Sequence, residues 1–220
     1  MHLYSRAILP AYPVCLWYFF SSFLYFFRTG TIAPQISGFT DVRRLLFDYN
    51  HLTGIIPTQI IEMKDLEHFS LSHNNLSGSI PFTNNGELRK LQSLDLSFND
   101  FTSASADPDP NIAELSSIEI LNLESNINLN FSFPPAYTGA FDSLLTGRFK
   151  NTSIGGLNGM FCGDGGVVSN GTRNDPNLLA HIEADCKGDN PVVQCDCCAL
   201  CCEKGGVDCV KKVSTSNISN

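Results

Sequence analysis

A chain of 220 residues, 43% hydrophobic and 16% charged, carries enough apolar material to bury a core, which excludes an intrinsically disordered protein. Its net charge of −8, with no basic stripe, excludes nucleic acid as a partner, because nothing would neutralise the phosphates. An acidic surface of this kind suits solubility, or a basic or neutral partner.

The chain opens on an uncharged stretch, residues 7–27, between Arg6 and Arg28. Its 21 residues are long enough to cross a bilayer core as a helix and so to associate the chain with a membrane. A signal peptide and a misassigned start at Met1 are the alternatives. The nearest small-residue site, Thr31-Ile32-Ala33, runs into Pro34, which disfavours cleavage there. Residues 1–27 are therefore set apart as an apolar N-terminal segment, with Cys15 inside it as a free thiol or an acylation site.

A shift of 24 residues lays the next segment on itself: Asn50 on Asn74, Leu52 on Leu76, Gly54 on Gly78, Ile56 on Ile80 and Pro57 on Pro81. One period earlier, Gly30, Ile32 and Ala33 fall in the same columns. Later copies run Leu91, Leu94, Leu96, Asn99, Phe101 and then Ile118, Leu121, Leu123, Asn126. In each copy the Leu-x-Leu portion alternates with period two, which predicts a short strand with one buried face. One strand and one turn cannot cover their own leucines. Stacking the copies into a parallel sheet does cover them, and the product is a solenoid. Asn50, Asn74, Asn99 and Asn126 enter the turns, where an amide can pair backbone groups of adjacent coils. Each such group left buried and unpaired would cost about 1–3 kcal/mol.

Leu52-Thr-Gly-Ile-Ile-Pro57 and Leu76-Ser-Gly-Ser-Ile-Pro81 resemble the plant-type leucine-rich repeat, with its L-x-G-x-I-P signature after the asparagine. The resemblance covers Arg28 to Ile127. This subclass typifies receptor-like proteins and kinases and polygalacturonase-inhibiting proteins, and similar ectodomains occur in algae such as diatoms. It implies an α/β-type solenoid: a right-handed superhelix of short parallel strands with a mostly irregular or 3-10 convex side. It also implies a secreted or cell-surface recognition module without catalytic activity. Such a module would bind a protein, peptide or carbohydrate ligand, with a co-receptor as a further partner. A structural cell-wall or adhesion protein is the alternative. The first coil follows the apolar segment without a cap, so the chain reads as the C-terminal part of a longer repeat protein or as one with a misplaced start.

Repeats are expected over residues 28–160, degenerate beyond about 127. After Phe101 the glycine and proline are lost, and Thr102-Ser-Ala-Ser-Ala-Asp-Pro-Asp-Pro110 reads as a polar loop. Residues 131–150 show no clear register. Leu157-Asn-Gly-Met-Phe-Cys162 is a last echo with cysteine in the proline column, and Leu179 to Cys186 reads as a final strand.

Residues 161–212 hold eight of the nine cysteines, Cys162, Cys186, Cys195, Cys197, Cys198, Cys201, Cys202 and Cys209, ahead of a tail at 213–220. The Cys-x-Cys and Cys-Cys-x-x-Cys-Cys spacings would let thiolates gather zinc or copper. The even count favours disulfides instead, as do five Asn-x-Ser/Thr sequons at Asn75, Asn130, Asn151, Asn170 and Asn217, which point to an oxidising, glycosylating compartment. A disulfide-rich C-terminal cap would seal the apolar end of the last coil, and a Cys162–Cys186 bridge would join the last two coils.

No nucleophile elbow, H-E-x-x-H, P-loop or kinase motif occurs. Gly163-Asp-Gly-Gly166 opens no helix, and Asp107 and Asp109 lack the rest of a calcium loop. His68 and His73, near His51, read as exposed strand residues rather than ligands. No cofactor or metal is expected.

The outward positions of successive strands would line one concave surface. The expected partner contacts there are Arg44, Asp48, Tyr49, His68, Ser70, His73, Asp95, Phe98, Asn122 and Glu124, flanked by Leu46, Ser72, Ser93, Ser97, Ile120 and Ser125. Tyr49, His73 and Phe98 share a column, which predicts a flat, partly aromatic stripe able to stack on sugar rings or a peptide, or simply to cover the core edge. A glycan at Asn75, just beyond that column, would shield one rim.

Overall fold

The computed structural model describes residues 29–81, 88–103, 115–131, 143–154, 181–185, 200–203 and 207–211. Twelve strands occur among these residues: β1 (Thr29–Gly30), β2 (Arg44–Leu46), β3 (His51–Gly54), β4 (His68–Ser70), β5 (Asn75–Gly78), β6 (Ser93–Asp95), β7 (Asp100–Phe101), β8 (Ile120–Asn122), β9 (Thr146–Arg148), β10 (His181–Ala184), β11 (Leu200–Glu203) and β12 (Val207–Lys211). Each coil enters the larger sheet in the order β2-β4-β6-β8-β9-β10-β11-β12, and β1-β3-β5-β7 form a second, four-stranded sheet along one flank. Pairing is parallel in both sheets until β12, which lies antiparallel on β11. On the far side the chain returns through 3-10 turns at Pro34–Gly38 and Thr58–Glu62, which drop Ile36 and Ile60 into the core.

The period-two strands place one column inward. Phe69, Leu94 and Leu121 stack in it, and Leu71, Leu96, Leu123 and Phe149 form the next column, all buried. Fully burying a side chain of this size is worth about 1.5–3 kcal/mol, but only because the neighbouring coil supplies the covering atoms. The asparagines do what their columns suggested. Asn74 Nδ2 donates to Phe47 O of the preceding coil at 2.8 Å and to Leu71 O of its own at 2.9 Å, while its Oδ1 accepts Leu52 N–H at 2.9 Å. Asn99 and Asn126 repeat the arrangement one and two coils on.

The residue before each asparagine, and before Thr152 in the same column, turns left-handed: Tyr49, His73, Phe98, Ser125 and Asn151 all have φ between 52° and 57°. Such a conformation costs an L-residue roughly 1–2 kcal/mol. It aims each N–H at the next coil, as in Tyr49 to Ser72 O at 2.9 Å and His73 to Ser97 O at 3.0 Å. Gly54 and Gly78 also sit at positive φ, 82° and 77°. A Cβ at Gly78 would stand 2.7 Å from Ile55 Cγ2. Gly78→Ala is therefore expected to destabilise by about 1–3 kcal/mol through strain and contact together. A urea midpoint matching that of the parent would refute this.

Residues 131–150, which showed no register in the sequence, contain a fifth coil: Leu144-x-x-Gly147-x-Phe149-x-x-Thr152. Gly147 stands where the pattern requires leucine, and the space is taken by Ile182 Cδ1 and Phe149 Cε2, each 2.9 Å from where a Cβ would lie. Thr152 replaces the asparagine, its Oγ1 donating to Phe149 O at 2.6 Å. The expected final strand is also corrected. β10 lies in Leu179–Cys186 as read, but β11 and β12 follow it, and the antiparallel strand β12 rather than β10 ends the sheet.

The apolar stretch 7–27, the loop 104–110 with Asp107 and Asp109, Gly163–Gly166, Asn170, Asn217 and the tail 213–220 lie outside the described residues, as do Cys15, Cys162, Cys186, Cys195, Cys197 and Cys198. Cys201 and Cys202 fall in β11 and Cys209 in β12. Among the described residues no helix is long and apolar enough to cross a membrane, and no group of His, Cys, Asp and Glu could hold a metal ion.

Candidate concave recognition face

Strand register sets the outward columns. Arg44, His68, Ser93, Ile120 and Thr146 align in one, and Leu46, Ser70, Asp95, Asn122 and Arg148 in another. Within the second column and the turns after it, the polar atoms are largely engaged with each other. Asp48 Oδ1 accepts from Ser70 Oγ, from Ser72 N–H at 3.1 Å and from Ser72 Oγ at 2.9 Å. Asp95 Oδ1 accepts Ser97 N–H and Oγ, and its Oδ2 accepts Asn122 Nδ2 at 3.1 Å. Asn122, expected to face a partner, is buried, and its Oδ1 accepts Glu124 N–H. Asp48 with Ser70, and Asp95 with Asn122, thus bond across coils in two polar clusters rather than forming a row of available hydrogen-bonding groups. Serine and aspartate at adjacent outward positions were the sequence signal for them.

The aromatic column is more exposed. Tyr49 and Phe98 are 61% and 41% exposed; Ile120 in the first outward column and Leu46 in the second are exposed too. Tyr49 and His73 stack with centroids 4.1 Å apart and planes 12° from parallel, and His73 and Phe98 at 4.1 Å and 9°. Both faces of His73 and one face of each neighbour are consequently covered. The column presents ring edges, not the flat stripe of faces expected from the sequence. The left-handed backbone causes this, because it turns three consecutive side chains into the same orientation at the spacing of stacked coils.

At the other end of the face lies an ion cluster that sequence reasoning found only in Glu124. Lys150 Nζ lies 3.3 Å from Glu124 Oε1 and 2.9 Å from Glu183 Oε2. Glu183 also meets Arg148 Nε at 3.9 Å and His181 Nε2 at 3.0 Å. Burial disfavours the charge on both central groups, yet their mutual bonds outweigh it. The Lys150 pKa is raised, held up by Glu183 and Glu124, and the Glu183 pKa is lowered, held down by Lys150, His181 and Arg148. Arg44 and His68, at the first end, are exposed and half-buried.

The leucine-rich repeat family matches residues 65–84. No curated protein matches the chain. Among solved structures it is similar to the plant peptide hormone receptor RGFR1 in complex with RGF2, at 32% identity and a TM-score of 0.52 over 58% of this chain and 20% of that one. The Arabidopsis receptor kinase HAESA, in complex with the peptide hormone IDA and the co-receptor SERK1, shares the fold at 23% identity and a TM-score of 0.53, over 71% of this chain and 23% of that one. The chain therefore spans about a fifth of the length of either receptor structure. With their L-x-G-x-I-P turns, asparagine ladder and parallel pairing, the described coils are leucine-rich repeats of the plant type.

Proposed function

We propose that the chain is a secreted or cell-surface recognition module, without catalytic activity, that takes up an extended peptide or protein segment along its concave face. The observation carrying this is the Tyr49–His73–Phe98 stack, which runs across three coils with Tyr49 and Phe98 exposed, beside outward polar groups that are largely bonded to one another. Aromatic side chains of this kind supply contact area, and the bonded polar groups add little desolvation cost. A sugar ring needs an open aromatic face, and the stack covers most of its faces, so a peptide fits better than a glycan. The similarity to a peptide hormone receptor supports the same reading and leaves room for a co-receptor. A displayed random-peptide library panned on the full chain is expected to yield binders. The double variant Tyr49→Ala/Phe98→Ala should weaken them at least tenfold, while Lys64→Ala, exposed on the convex return, leaves them unchanged. A library that yields nothing, or peptides indifferent to the double variant, would overturn the proposal.

A further inference from the structure

The three sequon asparagines among the described residues are not equivalent. Asn75 is the first residue of β5 in the four-stranded flank sheet and is exposed. Asn130 is exposed too, and its N–H donates to Ser103 Oγ at 2.9 Å, two residues beyond β7 of the same sheet. Both therefore lie along one flank, a coil or two apart. Asn151 belongs instead to the left-handed column that ends the concave strands, with φ 52°. It is half-buried, its Nδ2 donates to Ser125 Oγ at 3.3 Å, and its N–H donates to the Asp185 carboxylate at 2.7 Å.

We infer that the β1-β3-β5-β7 flank is a glycosylated surface, with N-linked glycans on Asn75 and Asn130 and none on Asn151 in the folded chain. The co-reactant is a polyprenyl-diphosphate-linked oligosaccharide. Asn Nδ2 forms the new bond to the sugar's anomeric carbon, the carbon–oxygen bond to the polyprenyl diphosphate breaks, and the amide proton leaves to a base of the transferase. On Asn75 and Asn130 the sugar projects into solvent. On Asn151 a sugar attached before folding would have to be accommodated where Nδ2 is held against Ser125 and would lie across the concave face, in the next coil of the Tyr49–His73–Phe98–Ser125 column, so a chain carrying it fails to fold and is retained. Glycans on the flank exclude a protein partner there and leave the concave face as the accessible side. The inference concerns modification and does not depend on whether that face binds a peptide.

The full chain, expressed behind a heterologous signal peptide in a eukaryotic host, tests this by enzymatic glycan release in heavy-oxygen water and peptide mapping of the exported and microsomal pools. Heavy-oxygen aspartate is expected at positions 75 and 130 in either pool, with position 151 unlabelled in exported chain. The Asn75→Gln/Asn130→Gln variant should migrate as two glycans lighter. An unlabelled position 75 or 130 overturns the inference, as does a labelled position 151 in exported chain.

Discussion

Asn126→Ala is expected to cost about 3–5 kcal/mol of stability, measured as a fall in the urea midpoint at unchanged slope. The side chain is fully buried. Its Nδ2 donates to Leu96 O and Leu123 O, both at 3.0 Å, and to Glu124 O at 3.4 Å, while its Oδ1 accepts Phe101 N–H at 3.1 Å. Alanine deletes all four bonds and leaves a gap closed to solvent by the coils on either side. Leu96 O keeps Asn99 Nδ2 and Glu124 O keeps Phe98 N–H, so the loss falls on two backbone groups, Leu123 O and Phe101 N–H, at about 1–3 kcal/mol each before relaxation. Asn50, in the first full coil, is half-buried, and Asn50→Ala should cost nearer 1 kcal/mol. Equal losses at the two positions would show that the turn itself, rather than the bonds between coils, is what the asparagine supports. Asn126→Asp separates shape from donation. It is isosteric but sets a carboxylate against carbonyl oxygens, so it should be as damaging as alanine at neutral pH and partly recover in acid.

Lys150→Met is the second large effect, about 2–3 kcal/mol at pH 7. It leaves Glu124 without its Lys150 partner and Glu183 with only Arg148 at 3.9 Å and His181, in a site where the side chains of the Lys150–Glu124–Glu183 group are only 11–19% exposed. Residual access of water keeps the figure below that of a fully buried pair. The pH dependence carries two signs. Glu183 has a lowered pKa in the folded chain, so its contribution is present above the unfolded carboxylate value of about 4.3 and is lost as pH falls through the folded one. Lys150 has a raised pKa, so its contribution is present below about 10.4 and is lost as pH rises through the folded value. In acid the two carboxylates neutralise in the variant as well, and the difference from the parent chain should shrink between pH 7 and pH 3. A difference that stays constant across that range would rule out the ion cluster as its source.

These two sites also show how far the residues could be read in advance. The asparagines stood out because every copy needs the same amide at the same place, so one physical requirement is written four times over. The Lys150 cluster is written once. Glu124, Arg148, Lys150, His181 and Glu183 come from three coils of unequal length, and no spacing along the chain brings them together. The fifth coil could not be put in register from the sequence for a related reason. Gly147 breaks the leucine pattern, and the side chain filling its place, Ile182, belongs to the following coil. The outward columns align in strand register, yet Asp48, Ser70, Asp95 and Asn122 bond across coils, so their availability was decided by neighbours a full period away.

By itself, then, the amino-acid sequence determined the repeating unit, the parallel strands and the asparagine ladder, because local periodicity and the need to pair backbone groups leave one economical solution. Tertiary structure alone decided that Tyr49, His73 and Phe98 present ring edges and not faces, and that a charged cluster ends the concave surface. Both depend on the left-handed turn and on the distance between stacked coils, which are properties of the assembled solenoid and of no single repeat.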